Sequence, residues 1–502
     1  MDDQPTYDLL IIGGGVNGAG IARDAAGRGL RVLLAERDDL AAATSSASSK
    51  LIHGGLRYLE QYAFRLVREA LAERDVLLRN APHIIWPLGF VLPTGPGSRP
   101  DWMLRLGLFL YDRLGWTPGQ PRSVLPRSRR IDLRAPGVPP ALKPEFARGF
   151  LYADCWVDDA RLVVLNACDA AARGARIATR TRVLRAEPLD GLWRATLAGQ
   201  DGRSEVAMAR AVVNAAGPWA GEVLGATLGI NRAATLRLVK GSHVVVRRLH
   251  DSPHAFILQN DDRRVVFVIP YERDFTLIGT TDVVVGPQPG PVAIDPSETV
   301  YLCRAASRWL ARPVTPEDVV WSYSGVRPLY DDGAADASAV TRDYVLDLAA
   351  GPERPPALSV FGGKITTYRR LAEHALEKLS PIFPAMGPAW TARAPLPGGD
   401  LPGADFVAFL AAWRARLSWL DPVHLHGLAR RHGTRLEAIA GDARAPGDLG
   451  RHFGAGLYAR EIDFLRRAEW AQSADDVLWR RTKAGLHLDA AARRAVAEHI
   501  GA

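Results

Sequence analysis

The chain has 502 residues, 47% hydrophobic and 24% charged, which excludes a mainly disordered or fibrous protein and predicts two or three domains. Basic residues outnumber acidic ones 63 to 55, and the resulting +8 favours anionic partners: phosphorylated metabolites, nucleic acid or an acidic membrane surface. The three cysteines, Cys155, Cys168 and Cys303, form no CxxC pair, so a disulfide framework or a zinc site is not expected and a reducing cytoplasm fits.

The N-terminus, Met1-Asp2-Asp3-Gln4, is acidic and does not read as a signal peptide. No apolar stretch reaches the roughly 18 residues of a transmembrane helix. Tyr7 to Ile12 reads as a buried strand, followed by glycines, a helix from about Asn17 to Arg28 and a second strand from Leu30 to Glu36. This β-α-β unit carries Gly13, Gly15 and Gly18 in G-x-G-x-x-G spacing. Gly13 permits the tight turn, Gly15 lets backbone approach a pyrophosphate at the helix N-terminus, and Gly18 lets helix and strand pack closely. Val16 and Asn17 complete that turn, and Glu36 stands where a carboxylate takes a ribose hydroxyl pair. A ligand-free glycine turn is the plain alternative, but it leaves Glu36 without a task.

Thr44 to Ser49 is a Ser/Thr-rich segment suited to capping a helix or binding an anion. A charged amphipathic helix is expected over 60–80, then Pro-, Gly- and Arg-rich loops over 93–145 around one apolar helix near 101–115. Asp154, Asp158 and Asp159 look like a paired-acid site, but Asp158 reads better as the cap of a helix over 160–172. Val212 to Gly217 returns as a strand, 236–285 alternates like antiparallel strands, and Ser359 to Gly363 runs into a helix from Lys364 to about Leu379. Pro395 to Gly399 reads as a linker, and a helical, arginine-rich domain follows from about 403. A cofactor touched by the first, middle and late parts of the chain is long and buried, which suits FAD better than an exchangeable nicotinamide. Only six of the 63 basic residues are lysines, so a lysine inside a motif draws notice; codon bias is the plain explanation.

Several long runs resemble the FAD-dependent glycerol-3-phosphate dehydrogenases: Thr44 to Tyr58, Lys240-Gly241-Ser242-His243, Gly279-Thr280-Thr281-Asp282, Tyr323 to Pro328, and Phe361 to Arg369. The resemblance covers about 5–400 and continues more loosely through Trp479 to Lys483. It implies an α/β fold: a Rossmann-like FAD-binding domain (1–85, 146–235, 350–388) interleaved with a β-rich substrate cap (86–145, 236–349), then a C-terminal helical domain (389–502). It also implies oxidation of glycerol 3-phosphate at C2 to dihydroxyacetone phosphate, hydride transfer to N5 of FAD, and electrons passed to a membrane quinone or, in related oxidases, to oxygen. The cofactor set comprises the residues named above together with Thr44, Ser45, Ser46, Ser49, Lys50, Leu51, Val183, Ala216, Gly217, Trp219, Gly363, Lys364, Ile365 and Thr366.

The chemistry asks for specific parts. A dianionic phosphate needs forked, permanent cations, and Arg327 with Arg57 is assigned to it, although any arginine read alone is first a surface charge. His243 is the candidate base for the C2 hydroxyl, with His53 its rival and a hydrogen-bonded core histidine the plain alternative. Lys364, at a helix start, could offset charge on flavin or substrate, and Tyr58 could bond substrate or merely pack. No metal cluster is visible. The 101–114 helix with Arg122, Arg127, Arg129, Arg130 and Arg134 suits an anionic membrane interface, or equally a buried helix beside a solvated loop. Peripheral attachment at the inner face of the cytoplasmic membrane is the expectation, and a homodimer is compatible with it. The arginines are scattered and no aromatic-basic RNA motif appears, so no nucleic-acid partner is expected. An amine or amino-acid oxidase of the same fold, and a redox-inactive escort protein, remain the competing readings.

Overall fold

The structure, a computed structural model, describes residues 6–95, 99–116, 123–135, 138–231, 236–262, 264–330, 343–352 and 354–501. Arg122 lies outside them. Two sheets and a helical unit organise the described residues. In the eight-stranded sheet, Thr6–Ile12 lies between Ser204–Asn214 and Val32–Ala35, parallel to both. Arg354–Phe361 extends it in parallel on one side and Arg176–Ala178 on the other. Leu9 and Ile11 pack on one face with the helices Val16–Gly27, Asp159–Ala172 and Tyr368–Leu379. Leu10 and Ile12 pack on the other face, with the hairpin Thr181–Leu189 and Leu192–Gly199. Both faces are covered, which is why these strands read as unbroken apolar runs rather than alternating ones.

The ten-stranded sheet is built around Leu236–Arg247, which pairs antiparallel with Val319–Tyr330 and with Phe275–Gly279. Ile85–Thr94 and Arg148–Val157 extend it as a long antiparallel pair. Arg148–Val157 joins this sheet, and Val345–Gly351 joins the other. The chain therefore crosses between sheets after Val157 rather than at 146, and before Val345 rather than at 350.

Asp158 caps its helix by accepting from Arg161 N–H at 3.2 Å, as the Asp-Asp pair suggested. The helix expected from Lys364 begins as a 3₁₀ turn, Ile365–Thr367, with Lys364 at its N-cap. The helix Asp101–Leu114 is neither wholly buried nor wholly free. Leu104, Leu108 and Tyr111 face the core, while Trp102, Leu106 and Phe109 are 69%, 52% and 49% exposed.

The C-terminal helices Phe406–Arg416, Pro422–His432, Ala459–Glu469 and Ala490–Gly501 share their own core. The 395–399 segment is not a loose linker: a Cβ on Gly398 would lie 2.3 Å from His432 O, and one on Gly399 2.3 Å from Asn80 O. Buried ion pairs tie the helical unit to the first sheet. Arg161, fully buried, bonds Glu469 and Arg431 O, and Arg481 grips Asp39 at 2.6 and 2.8 Å.

Candidate active site and its cofactor cradle

Two adjoining cavities, about 670 and 130 Å³, run along the line where the two sheets meet. They share Gly15, Thr44, Ser45, Ala215, Gly217 and Pro218. The smaller is walled by Gly13, Glu36, Val183, Ala216 and Trp219, the larger by Val16, Asn17, Ser49, Leu51, Gly363, Lys364, Ile365 and Thr366. Three distant stretches of chain thus converge, as a long dinucleotide requires.

The residues fit FAD. Gly13 has φ +113, and a Cβ there would lie 2.5 Å from Ala215 O. Gly18 is not on the wall: its Cβ would stand 1.9 Å from Gly13 O, so its absence lets the helix seat against the turn. That puts the N–H groups of the helix Val16–Gly27 at the junction of the cavities, a ready anion site. Glu36 accepts from Gly14 N–H at 2.6 Å and Asp38 N–H at 2.8 Å, which fixes its carboxylate on the smaller cavity. Asn17 Nδ2 donates to Gly362 O at 3.3 Å, while its buried Oδ1 has no partner among the described residues.

In the larger cavity, His53, Arg57, Tyr58, Arg327 and Lys364 line one common space. Arg327 enters it past Gly241, where a Cβ would lie 2.4 Å from Nη2. Its guanidinium pairs with Asp282 and donates to Thr280 Oγ1 at 3.0 Å. No carboxylate pairs with Arg57 among the described residues. Lys364 Nζ sits 4.7 Å from the centroid of the Tyr58 ring. His53 stands edge-on to Phe267, centroids 6.4 Å apart, and its backbone N–H donates to Thr366 Oγ1 at 3.3 Å.

Three expected site residues are placed differently. His243 is 1% exposed and lies behind the wall, its Nε2 2.9 Å from Ser49 Oγ and its ring stacked on Tyr323 at 4.8 Å. Burial, reinforced by the charges of Arg327 and Lys50, holds its imidazole well below the usual range. Ser46 is off both walls and bonds Ala43 O instead. Lys50 is also off the wall: its ammonium, 1% exposed, bonds Asp159 at 2.8 and 3.0 Å and Ser46 O at 3.1 Å.

Asp159, absent from the sequence-derived set, is the partner that arranges the 44–58 segment. It also accepts from Ser48 N and Oγ at 3.2 and 2.8 Å. Burial opposes its charge, yet Lys50, Lys483 and Ser48 hold its carboxyl below the usual range. The other end of the segment is tied by Tyr111, which accepts from Gly54 N–H at 2.8 Å and donates to Asp154 at 2.7 Å. The consecutive Asp158-Asp159 at a helix start was the available signal; the distance of 109 residues to Lys50 hid the pairing.

Removing one buried partner strands the other charge, at a cost of about 3–5 kcal/mol. Lys50→Met or Asp159→Asn is therefore expected to lower the unfolding midpoint sharply and to release FAD, measured by thermal denaturation and flavin content. Lys50→Met with Asp159→Leu is expected to be milder than either single change. Full flavin content and an unchanged midpoint in both single variants would contradict this role.

Residues 8–369 match the family described as FAD dependent oxidoreductase, and residues 389–502 match the C-terminal domain of alpha-glycerophosphate oxidase. The glycerol-3-phosphate dehydrogenase of Pseudomonas aeruginosa is 54% identical, over 96% of this chain and 92% of that protein. The D-erythritol 1-phosphate dehydrogenase of Brucella abortus is 49% identical, over 99% and 98%. Among solved structures, the glycerol-3-phosphate dehydrogenase from Bacillus halodurans complexed with FAD aligns with a TM-score of 0.72 at 26% identity, covering 100% of this chain and 91% of that one. With a cradle that fits the dinucleotide and a match across most of its length, the chain belongs to the FAD-dependent oxidoreductases.

Proposed function

We infer that the protein oxidises sn-glycerol 3-phosphate at C2 to dihydroxyacetone phosphate and passes the electrons to a quinone in an adjoining membrane. The observation that carries this reading is the gathering of Arg57, Arg327, Lys364 and His53 in one cavity beside the FAD cradle. Bound FAD supplies the acceptor for the C2 hydride at its N5. The unit around the eight-stranded sheet holds the cofactor, the ten-stranded sheet caps the substrate, and the helical unit braces both.

Arg57 and Arg327 take the phosphate. Arg327 is held in orientation by Asp282 and Thr280, and Arg57 brings a charge that no acid among the described residues offsets. His53, on the wall, takes the hydroxyl proton. His243 is a positioning residue, holding Ser49 against the cavity. Lys364, poised over Tyr58, adds positive charge where the reacting end of the substrate lies. A four-carbon polyol phosphate is the second reading, supported by the 49% identity to the Brucella abortus relative.

Each charged hydrogen bond to the phosphate is worth about 1.5–3 kcal/mol, roughly 10- to 100-fold. Arg57→Ala and Arg327→Ala are expected to raise KM for glycerol 3-phosphate by such factors and to erode the preference over unphosphorylated glycerol. Equal effects on both substrates would contradict the phosphate assignment.

No helix among the described residues is long and apolar enough to cross a membrane. Peripheral attachment is supported instead by the exposed Tyr62, Trp102, Leu106 and Phe109, with Arg105, Arg113 and Arg130 exposed nearby. The protein is expected to sediment with anionic phospholipid vesicles, and Trp102→Glu with Phe109→Glu to reduce the bound fraction at least tenfold. A wild-type protein left in the supernatant would contradict attachment.

A further inference from the structure

Arg327 enters the cavity from the strand Val319–Tyr330, and behind it the sheet carries a buried carboxylate, Glu298, that lies on neither cavity wall. In the paired strands Gly241 lies opposite Gly325, and Ser242 opposite Ser324. Side chains alternate between the faces of a sheet. Gly241, Gly325 and Arg327 therefore turn to the cavity, while Ser242 and Ser324 turn away from it. The helix Pro296–Ser307 covers that far face, where Leu302, Cys303 and Ala306 share a core with Val244, Val246 and Ile278. Glu298 stands in the first turn of this helix and is 6% exposed.

Glu298 gathers four donors. Its Oε1 accepts from Thr281 Oγ1 at 2.7 Å and from Ser242 Oγ at 3.0 Å. Its Oε2 accepts from Lys240 Nζ and from Asp295 N–H, each at 2.8 Å. Burial opposes the charge, but these donors hold the carboxyl below the usual range. An ionised carboxylate only accepts, so each hydroxyl in the network points one way. Ser242 gives its hydrogen to Glu298 and accepts from Ser324 Oγ at 2.8 Å. Thr281 does the same and accepts from Ser242 N–H at 2.9 Å. Capping the helix requires only the bond from Asp295 N–H. The other three donors come from the Lys240–His243 and Gly279–Asp282 runs, whose remaining members face the cavity or its wall.

We propose that Glu298 is a positioning residue for the phosphate site: by holding Thr281 from behind the sheet, it sets Thr280 and Asp282, the two groups that orient Arg327. This role rests on the assignment of Arg327 to the substrate phosphate. Thr280 and Asp282 line the cavity, while Thr281 between them is 1% exposed and does not. Thr280 Oγ1 donates to Thr281 O at 3.1 Å, which leaves a lone pair for Arg327 Nη2 at 3.0 Å. Asp282 takes Nη1 of the same guanidinium. Loss of the carboxylate frees Thr281 and leaves the Lys240 charge uncompensated behind the sheet. Misplacing a binding group by about 1 Å costs up to about 100-fold.

The test uses FAD-loaded protein, glycerol 3-phosphate as substrate and inorganic phosphate as competitive inhibitor. Glu298→Gln is expected to raise both KM and the phosphate inhibition constant about tenfold, with kcat within about twofold and flavin content unchanged. Thr281→Val is expected to do the same, and Thr281→Ser, which keeps the hydroxyl, to restore both constants. Asp295→Ala removes the helix cap but not the carboxylate, so it is expected to lower the unfolding midpoint while both constants stay within about twofold of wild type. If Glu298→Gln does not hold FAD, Thr281→Val against Thr281→Ser decides. Unchanged constants in flavin-loaded Glu298→Gln and Thr281→Val, with Arg327→Ala still raising KM, would overturn this role and leave the phosphate assignment standing. An equal rise in Asp295→Ala would also overturn it, since helix stability would then suffice. Arg327→Ala with an unchanged KM would overturn the phosphate assignment and this role with it.

Discussion

The buried pair between Lys50 and Asp159 is the constraint on which the rest of the site depends. Both groups are essentially without solvent, 1% and 0% exposed. Taking an ammonium and a carboxylate out of water costs several kcal/mol each, so their attraction must be supplemented by further hydrogen bonds. Asp159 obtains these from Ser48 and from Ala160 N–H at 2.9 Å, Lys50 from Ser46 O, and the ammonium also lies 5.0 Å from the Tyr323 ring centroid. Lys50 holds a left-handed backbone, φ +57, which turns the chain sharply at this point. Upstream of it, Thr44, Ser45 and Ser49 wall the cofactor space. Downstream, Leu51–Ile52 enters the ten-stranded sheet, and His53, Arg57 and Tyr58 reach the reacting end. One ion pair thereby sets the relation between the cofactor cradle and the substrate groups.

The segment it fixes also sorts the cavity by polarity. One end is a glycine-lined anion cradle at a helix N-terminus. The middle gathers cations and a histidine, where a phosphate and a hydroxyl need to be recognised. Apolar residues of the helix Asp101–Leu114, among them Leu104, Leu106 and Leu110, also line the cavity. The anion cradle and the cation-lined space thus adjoin, sharing Gly15, Thr44, Ser45 and Ala215 between them. This arrangement also gives the +8 net charge a local meaning: part of the excess faces the cavity and part flanks the apolar surface.

Much of this was legible in the sequence. The β-α-β unit with its glycines and Glu36 depends on local geometry, and local geometry is what residue spacing encodes. The Ser/Thr run, the Gly-Gly-Leu-Arg-Tyr turn and the Gly-Gly-Lys run lie on the walls for the same reason: tight turns beside a ligand demand small residues. Where the structure departs from that reading, the cause is contact between residues far apart in the chain. His243 follows Lys240-Gly241-Ser242 and precedes valines, as a wall residue might, but its Nε2 is bonded to Ser49, 194 positions away. Lys50 sits between Ser49 and Leu51, which line the cavity, but Asp159 draws it inward. The 395–399 segment has the composition of a linker, while its glycines serve close backbone approach to Asn80 and His432. Strand Arg148–Val157 could not be assigned to its sheet from pattern alone, because both sheets bury residues on two faces.

The cation-lined space beside the FAD cradle is assigned the oxidation of glycerol 3-phosphate. Anaerobic titration of the purified holoenzyme with that compound, followed through the visible flavin band, tests it most directly. Bleaching that completes near one equivalent, with no response to unphosphorylated glycerol, is the predicted result. A flavin band that stays unchanged after an excess of glycerol 3-phosphate would contradict the account.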